Sequence, residues 1–157
     1  MLIANTPDAG TWRPDLRTLA DARPGVGTLG GIFTAVTAAA GRPVLCVAWD
    51  MPFVPEGLLR ALLQGAADGP YYAFLPQSEG RRGLEPLCAV YGPACAPAIA
   101  RRLDQGDLKA IAFHPDVRVG ILPLAEVRRL GDPAELFFNV NTPDDLARAE
   151  AIWRRRG

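Results

Sequence analysis

Residues 43–49 read Pro-Val-Leu-Cys-Val-Ala-Trp, an unbroken apolar run that stops at Asp50-Met51-Pro52. A strand wetted on one face alternates apolar and polar side chains, whereas a strand covered on both faces does not. The run therefore predicts a central parallel strand in an α/β sheet with helices on both sides.

The remaining sequence alternates short β-rich runs with helical periodicity, as such a sheet requires. Further strands are expected at 2–5, 71–76, 87–91, 117–123 and 137–140, and helices at 29–40, 55–66 and 94–103. In 55–66, Leu58, Leu59, Leu62, Leu63 and Ala66 share one face, and Pro55 suits the first turn. The last helix carries the clearest start: Thr142 as N-cap, Pro143 as first residue and Asp145 at the capping-box position. Leu146, Ala149 and Trp153 are expected to line its buried face.

A chain of 157 residues, 49% hydrophobic and 22% charged, can bury a core and is expected to form one domain over 1–157. No apolar run approaches the ~18 residues of a membrane span. The balance of 17 basic and 17 acidic side chains argues against a general nucleic-acid binder. All basic residues but Lys109 are arginine, so lysine chemistry has one candidate. Cys46, Cys88 and Cys95 are widely spaced and form no C-x-x-C pair with which His114 could complete a zinc site. With no basic-then-apolar leader at its start, the chain reads as a reduced, cytoplasmic protein without membrane partners.

Three constellations carry chemistry. The stretch Gly25-Val26-Gly27-Thr28-Leu29-Gly30-Gly31 satisfies G-x-G-x-x-G, and Asp50 follows at a dinucleotide-fingerprint distance. Asp21-Ala22-Arg23-Pro24, however, stands where such a fingerprint has a strand. The stretch reads either as a flexible loop ahead of a helix or as a loop that lets a ligand approach the backbone. Second, Asp50 at the carboxyl end of a parallel strand faces the crevice where open α/β sheets bind ligands, and a single carboxylate there suits magnesium. Its other reading is a strand-terminating turn. Third, Asn139 and Asn141 would project to one side of a strand, offering amides to metal-bound water or polar ligand groups. No serine or cysteine is paired with histidine as a nucleophile, so an enzyme of this sequence works by positioning and electrostatics.

In order along the chain, L-I-A-N (2–5), L-A-D (19–21), G-T-L-G-G-I (27–32), V-A-W-D-M-P-F (47–53), E-P-L-C-A-V-Y (85–91) and F-F-N-V-N-T-P-D-D-L (137–146) resemble the bacterial molybdenum cofactor guanylyltransferase family. The resemblance implies a Rossmann-like nucleotidyltransferase fold, a three-layer α/β sandwich with a mostly parallel sheet. It further implies transfer of GMP from GTP to molybdenum-molybdopterin, with diphosphate released and magnesium as cofactor. Other molybdenum-cofactor proteins are implied partners. By motif, Asp50 would bind magnesium and act in catalysis, and Asp21 would contact GTP. Gly27, Leu29, Gly30 and Gly31 would approach the nucleotide, and Asn5 would line its pocket. Asn139 and Asn141 would support the metal–phosphate site, with Arg81, Arg82 and Lys109 as candidates for the pterin phosphate. Trp49 departs from the family's small residue or Cys before the aspartate, and Ile3 from a position that some members make polar.

The family pattern also opens with a strand leading into L-A-G-G-x-S-x-R-M-G-x-D-K, whose amides, Arg and Lys cradle a triphosphate. Nothing in these residues corresponds to it, and Met1 stands where the family's second strand begins. The expectation is a fold lacking its first strand and phosphate loop, with negligible transferase activity on its own. The alternatives are a shortened, non-catalytic relative that binds nucleotide or pterin, and an oxidoreductase holding NAD or flavin on residues 25–31.

Overall fold

The computed structural model describes residues 1–80 and 83–156. In chain order its elements are β1 (Leu2–Ile3), α1 (Ala9–Trp12), β2 (Thr18–Leu19), α2 (Gly27–Ala38), β3 (Val44–Val47), α3 (Glu56–Asp68) and β4 (Ala73–Pro76). There follow β5 (Cys88–Tyr91), α4 (Cys95–Asp104), a 3-10 turn (His114–Asp116), β6 (Val119–Leu122), α5 (Leu124–Leu130), α6 (Pro133–Leu136) and α7 (Pro143–Arg156). The contacts group into two compact units, one of Met1–Val44 with Tyr91–Arg118, the other of Leu45–Val90 with Val119–Gly157.

In the first unit β1 and β2 pair in parallel, Leu2 opposite Thr18 and Ile3 opposite Leu19. Parallel pairing brings both carboxyl ends to the same side, so the residues that follow, Asn5 and Asp21, meet there. Helix α2 buries Leu29, Ile32, Ala35 and Val36 and packs on α4, which buries Ala98, Ile99 and Leu103. Tyr91 and Phe113, both fully buried, pack with ring centroids 5.9 Å apart. Arg102 grips Asp116 through two bonds of 3.0 Å and fixes the 3-10 turn to α4.

The second unit is built on a sheet of order β3-β5-β4-β6. Strands β4 and β6 are parallel, with Phe74 opposite Gly120. Helix α3 covers β4 and β6 by burying Leu58 and Leu62. Gly65 is required at that contact, since a Cβ there would stand 2.3 Å from the Phe74 ring. Leu58, Leu62, Phe74, Val90, Val127 and Leu136 form the main core. Helix α7 closes a smaller cluster, burying Ala149 and Ile152 against Phe53.

Three sequence expectations are corrected here. Strand β3 is the end strand of its sheet rather than a central one, which leaves Val44, Leu45 and Cys46 half-buried and Val47 42% exposed. Residues 137–140 form no strand. Helix α6, capped by Asp132, takes the amides of Phe137 and Phe138 into its last turn, and Val140 alone reaches across, to Asp50. On α7 the buried stripe is Ala149–Ile152, while Leu146 and Trp153, one step around the helix, are 53% and 68% exposed.

Candidate functional site

The sequence-selected residues fall into one group in each unit. In the first, Asp21 is held from two sides. Asn5 Nδ2 donates to Asp21 Oδ2 at 2.8 Å, and the Asp21 amide donates to Asn5 Oδ1 at 2.8 Å. The next amide, of Ala22, donates to Thr34 Oγ1 at 2.9 Å, and that hydroxyl donates to the carbonyl of Gly30 at 2.8 Å. The Asp21 carboxylate thus lies over the first turn of α2, 3.8 Å from where side chains on Gly30 and Gly31 would begin. The positive end of the helix dipole favours an anion there.

Residues 27–31 are not a loop but the opening turn of α2. Gly27 enters the helix at φ +64°, a conformation that glycine adopts without steric cost. Gly30 is needed for a different reason. A Cβ there would stand 2.5 Å from Val26 Cγ2 and 3.3 Å from the Arg23 carbonyl, so its absence lets residues 21–26 lie on the helix. Arg23 secures the same stretch, with its guanidinium 5.3 Å from the Phe33 ring centroid and paired to Asp104. Leu29 is fully buried, backbone included, so it belongs to the core and supports the turn from beneath rather than meeting a ligand. β2 ends at Leu19, leaving residues 20–24 between it and Gly25, so G-x-G-x-x-G lacks the strand–turn–helix frame of a dinucleotide site.

In the second unit, Asp50 sits in the turn after β3 and is half-buried. Its carbonyl accepts from the amide of Val140 at 2.9 Å, which brings the Asn139–Asn141 segment alongside. Met51 and Phe53, 5% and 4% exposed, anchor the turn in the core. Asn139 turns its amide back to the Phe137 carbonyl at 3.1 Å. The Asn141 and Thr142 amides and the Thr142 hydroxyl all donate to Asp145 Oδ2, while the Asp145 amide donates to Thr142 Oγ1. This is the expected capping box, and the Thr142 hydroxyl is the main contact holding the Asp145 carboxyl below the usual carboxylate range. Among the described residues, no group of three or more His, Cys, Asp or Glu could hold a metal. A lone carboxylate fits a hard ion that keeps most of its waters and takes phosphate oxygens, and Asp50 meets that description.

Lys109 is exposed in the turn after α4, whereas Arg81 and Arg82 lie outside the described residues. The cysteines take no part: burial pushes Cys46 and Cys88 to about 12 and Cys95 to about 11. Sequence reasoning missed Thr34 and the Val140 amide, which tie Asp21 and Asp50 to neighbouring elements. A threonine inside a helix and a backbone N–H carry no motif.

The fold is a nucleotidyltransferase fold. The crystal structure of molybdopterin-guanine dinucleotide biosynthesis protein A from Archaeoglobus fulgidus matches 98% of this chain and 77% of its own, with a TM-score of 0.82 and 28% identity. A family model, the MobA-like NTP transferase domain, matches residues 1–118, and the chain belongs to that family. Among its relatives, a probable molybdenum cofactor guanylyltransferase of Pelotomaculum thermopropionicum is 37% identical over 152 residues, covering 97% of this chain and 72% of the relative. The molybdenum cofactor guanylyltransferase of Desulfosudis oleivorans is 32% identical over 153 residues, covering 96% and 73%.

Proposed function

We propose that this protein serves the transfer of GMP from GTP to molybdenum-molybdopterin, releasing diphosphate, with magnesium bound. The observation that carries the reading is the Asn5–Asp21 pair fixed over the first turn of α2, in a chain whose relatives are named for this reaction. In the reaction, an oxygen of the pterin's phosphate bonds to the α-phosphorus of GTP as the bond to diphosphate breaks. The attacking group is already an anion, so no side chain needs to become a nucleophile.

The chain's residues position and neutralise. Asp21 accepts from donors on the nucleoside, and the opening turn of α2 offers close approach at Gly27 and Gly31. Gly30, covered by Val26 and Arg23, lets the stretch that carries Asp21 lie on the helix. Asp50 would hold magnesium, and the Asn139 and Asn141 amides would support the metal–phosphate group. Bound magnesium supplies neutralisation of charge on the phosphates. Arg81, Arg82 and Lys109 are the candidates for the pterin phosphate, and other molybdenum-cofactor proteins are candidate partners for delivery.

Calorimetric titration tests the assignment. GTP is expected to bind saturably and more tightly with magnesium, whereas NAD is expected not to bind. Saturable NAD binding with none of GTP would replace this reading with the cofactor-binding one.

A further inference from the structure

We infer that Thr34 is a positioning residue for the nucleotide, acting through Asp21; the inference rests on the proposed nucleotide-binding role of that aspartate. Helix α2 contains an internal control. Thr37 donates its hydroxyl to the Phe33 carbonyl at 2.8 Å, the ordinary back-bond of a helical threonine, and its side chain is exposed. Thr34 makes the same back-bond, to Gly30. Unlike Thr37 it is buried, 4% exposed, and among the described residues no other charged or non-aromatic polar side chain is buried.

Thr37 reaches only carbonyls of its own helix, those of Phe33 and Thr34, whereas Thr34 also accepts a bond from outside it. A hydroxyl has one proton and two lone pairs. Thr34 spends its proton on Gly30 and receives the Ala22 amide at 2.9 Å. Consecutive amides on either side of the Asp21 α-carbon therefore donate to side chains from different elements, Asp21 to Asn5 after β1 and Ala22 to Thr34 on α2. Both peptide planes are fixed, and the direction in which Asp21 projects is fixed with them. Asn5 alone would tie Asp21 to the strand pair and leave it free to swing relative to the helix. Thr34 sets the carboxylate over the α2 turn, and the missing Cβ of Gly30 makes the approach possible.

The test compares Thr34→Val, which keeps shape and loses the hydroxyl, with Thr34→Ser, which restores it. Three quantities are read on the 157-residue chain: GTP affinity with magnesium, thermal midpoint, and hydrogen exchange at the Ala22 amide. Thr34→Val is expected to weaken GTP roughly three- to tenfold and to speed Ala22 exchange, with both restored in Thr34→Ser. A purely structural threonine would lower the midpoint in Thr34→Val while leaving GTP affinity at the wild-type value. That outcome, with wild-type chain binding GTP, would overturn the inference alone. Failure of the wild-type chain to bind GTP at all would overturn the function reading and this inference with it.

Discussion

Asn5 and Asp21 hold each other by two hydrogen bonds of opposite sense, each 2.8 Å, the side-chain amide giving to the carboxylate and its oxygen receiving the aspartate's backbone N–H. The parallel β1–β2 register produces this meeting, because residues sixteen apart are already opposite one another in Leu2–Thr18 and Ile3–Leu19. The pair stands outside the deep core, so its value is orientation more than stability. Asn5→Ala is expected to cost about 0.5–1.5 kcal/mol of folding free energy and to weaken GTP binding by roughly tenfold. Asn5→Asp, which sets two carboxylates together, is expected to be worse. Denaturant unfolding and calorimetry read the two effects separately.

Gly30→Ala tests the close approach of residues 21–26. The new Cβ would stand 2.5 Å from Val26 Cγ2 and 3.3 Å from the Arg23 carbonyl, so loop or helix must shift. Overpacking of this kind costs about 1–3 kcal/mol. GTP affinity should fall beyond what the stability loss explains, because the shifted stretch carries Asp21. An unchanged affinity would show that the approach does not matter to the ligand.

Asp50→Asn keeps the shape of the side chain and removes its charge. Among the described residues its carboxylate has no hydrogen-bond or ionic partner, so stability should change by no more than about 0.5 kcal/mol. The magnesium enhancement of GTP affinity should disappear, and magnesium-dependent turnover with it in any form of the protein that turns over. Titration of GTP at fixed magnesium, for wild type and variant, checks this.

His114 makes the pH response legible, being the only histidine. Burial pushes its imidazole down to about 4, and its enclosed Nε2 has no hydrogen-bond partner among the described residues. In the unfolded chain it titrates near 6.5. Between those values the unfolded state binds a proton that the native state does not. Stability from this group is therefore full above about pH 6.5 and declines as pH falls toward 4. The lowered carboxyls of Glu135 and Asp145 act in a separate window: their contribution is present above the unfolded carboxylate range and is lost at still lower pH. Urea midpoints of His114→Phe should be flatter between pH 6.5 and 4.5 than those of the wild type.

How much of this was legible in sequence depended on range. The capping box of Thr142 and Asp145 could be read because all its parts lie within four residues. β3 was readable as a strand, but not as an end strand, since apolar content does not reveal which neighbours pair with it. Residues 137–140 look like a strand until the amides consumed by α6 are counted. β2, only Thr18–Leu19, is too short to leave a period. At the site, Asp50 was legible from its place at the end of the apolar run, whereas Asp21 and Asn5 came from the resemblance. Their fixation came from long-range bonds, Ala22 to Thr34 and Val140 to Asp50, which no local pattern encodes.

The proposed function has a guanine nucleotide held by Asn5, Asp21 and the opening turn of α2. It is tested most directly by backbone amide NMR of the 157-residue chain during titration with GTP and magnesium. Saturable shifts are expected, concentrated at Asp21, Ala22 and residues 27–31, with the same pattern lost in Asp21→Asn. Shifts that avoid these residues, or that survive Asp21→Asn unchanged, would contradict it.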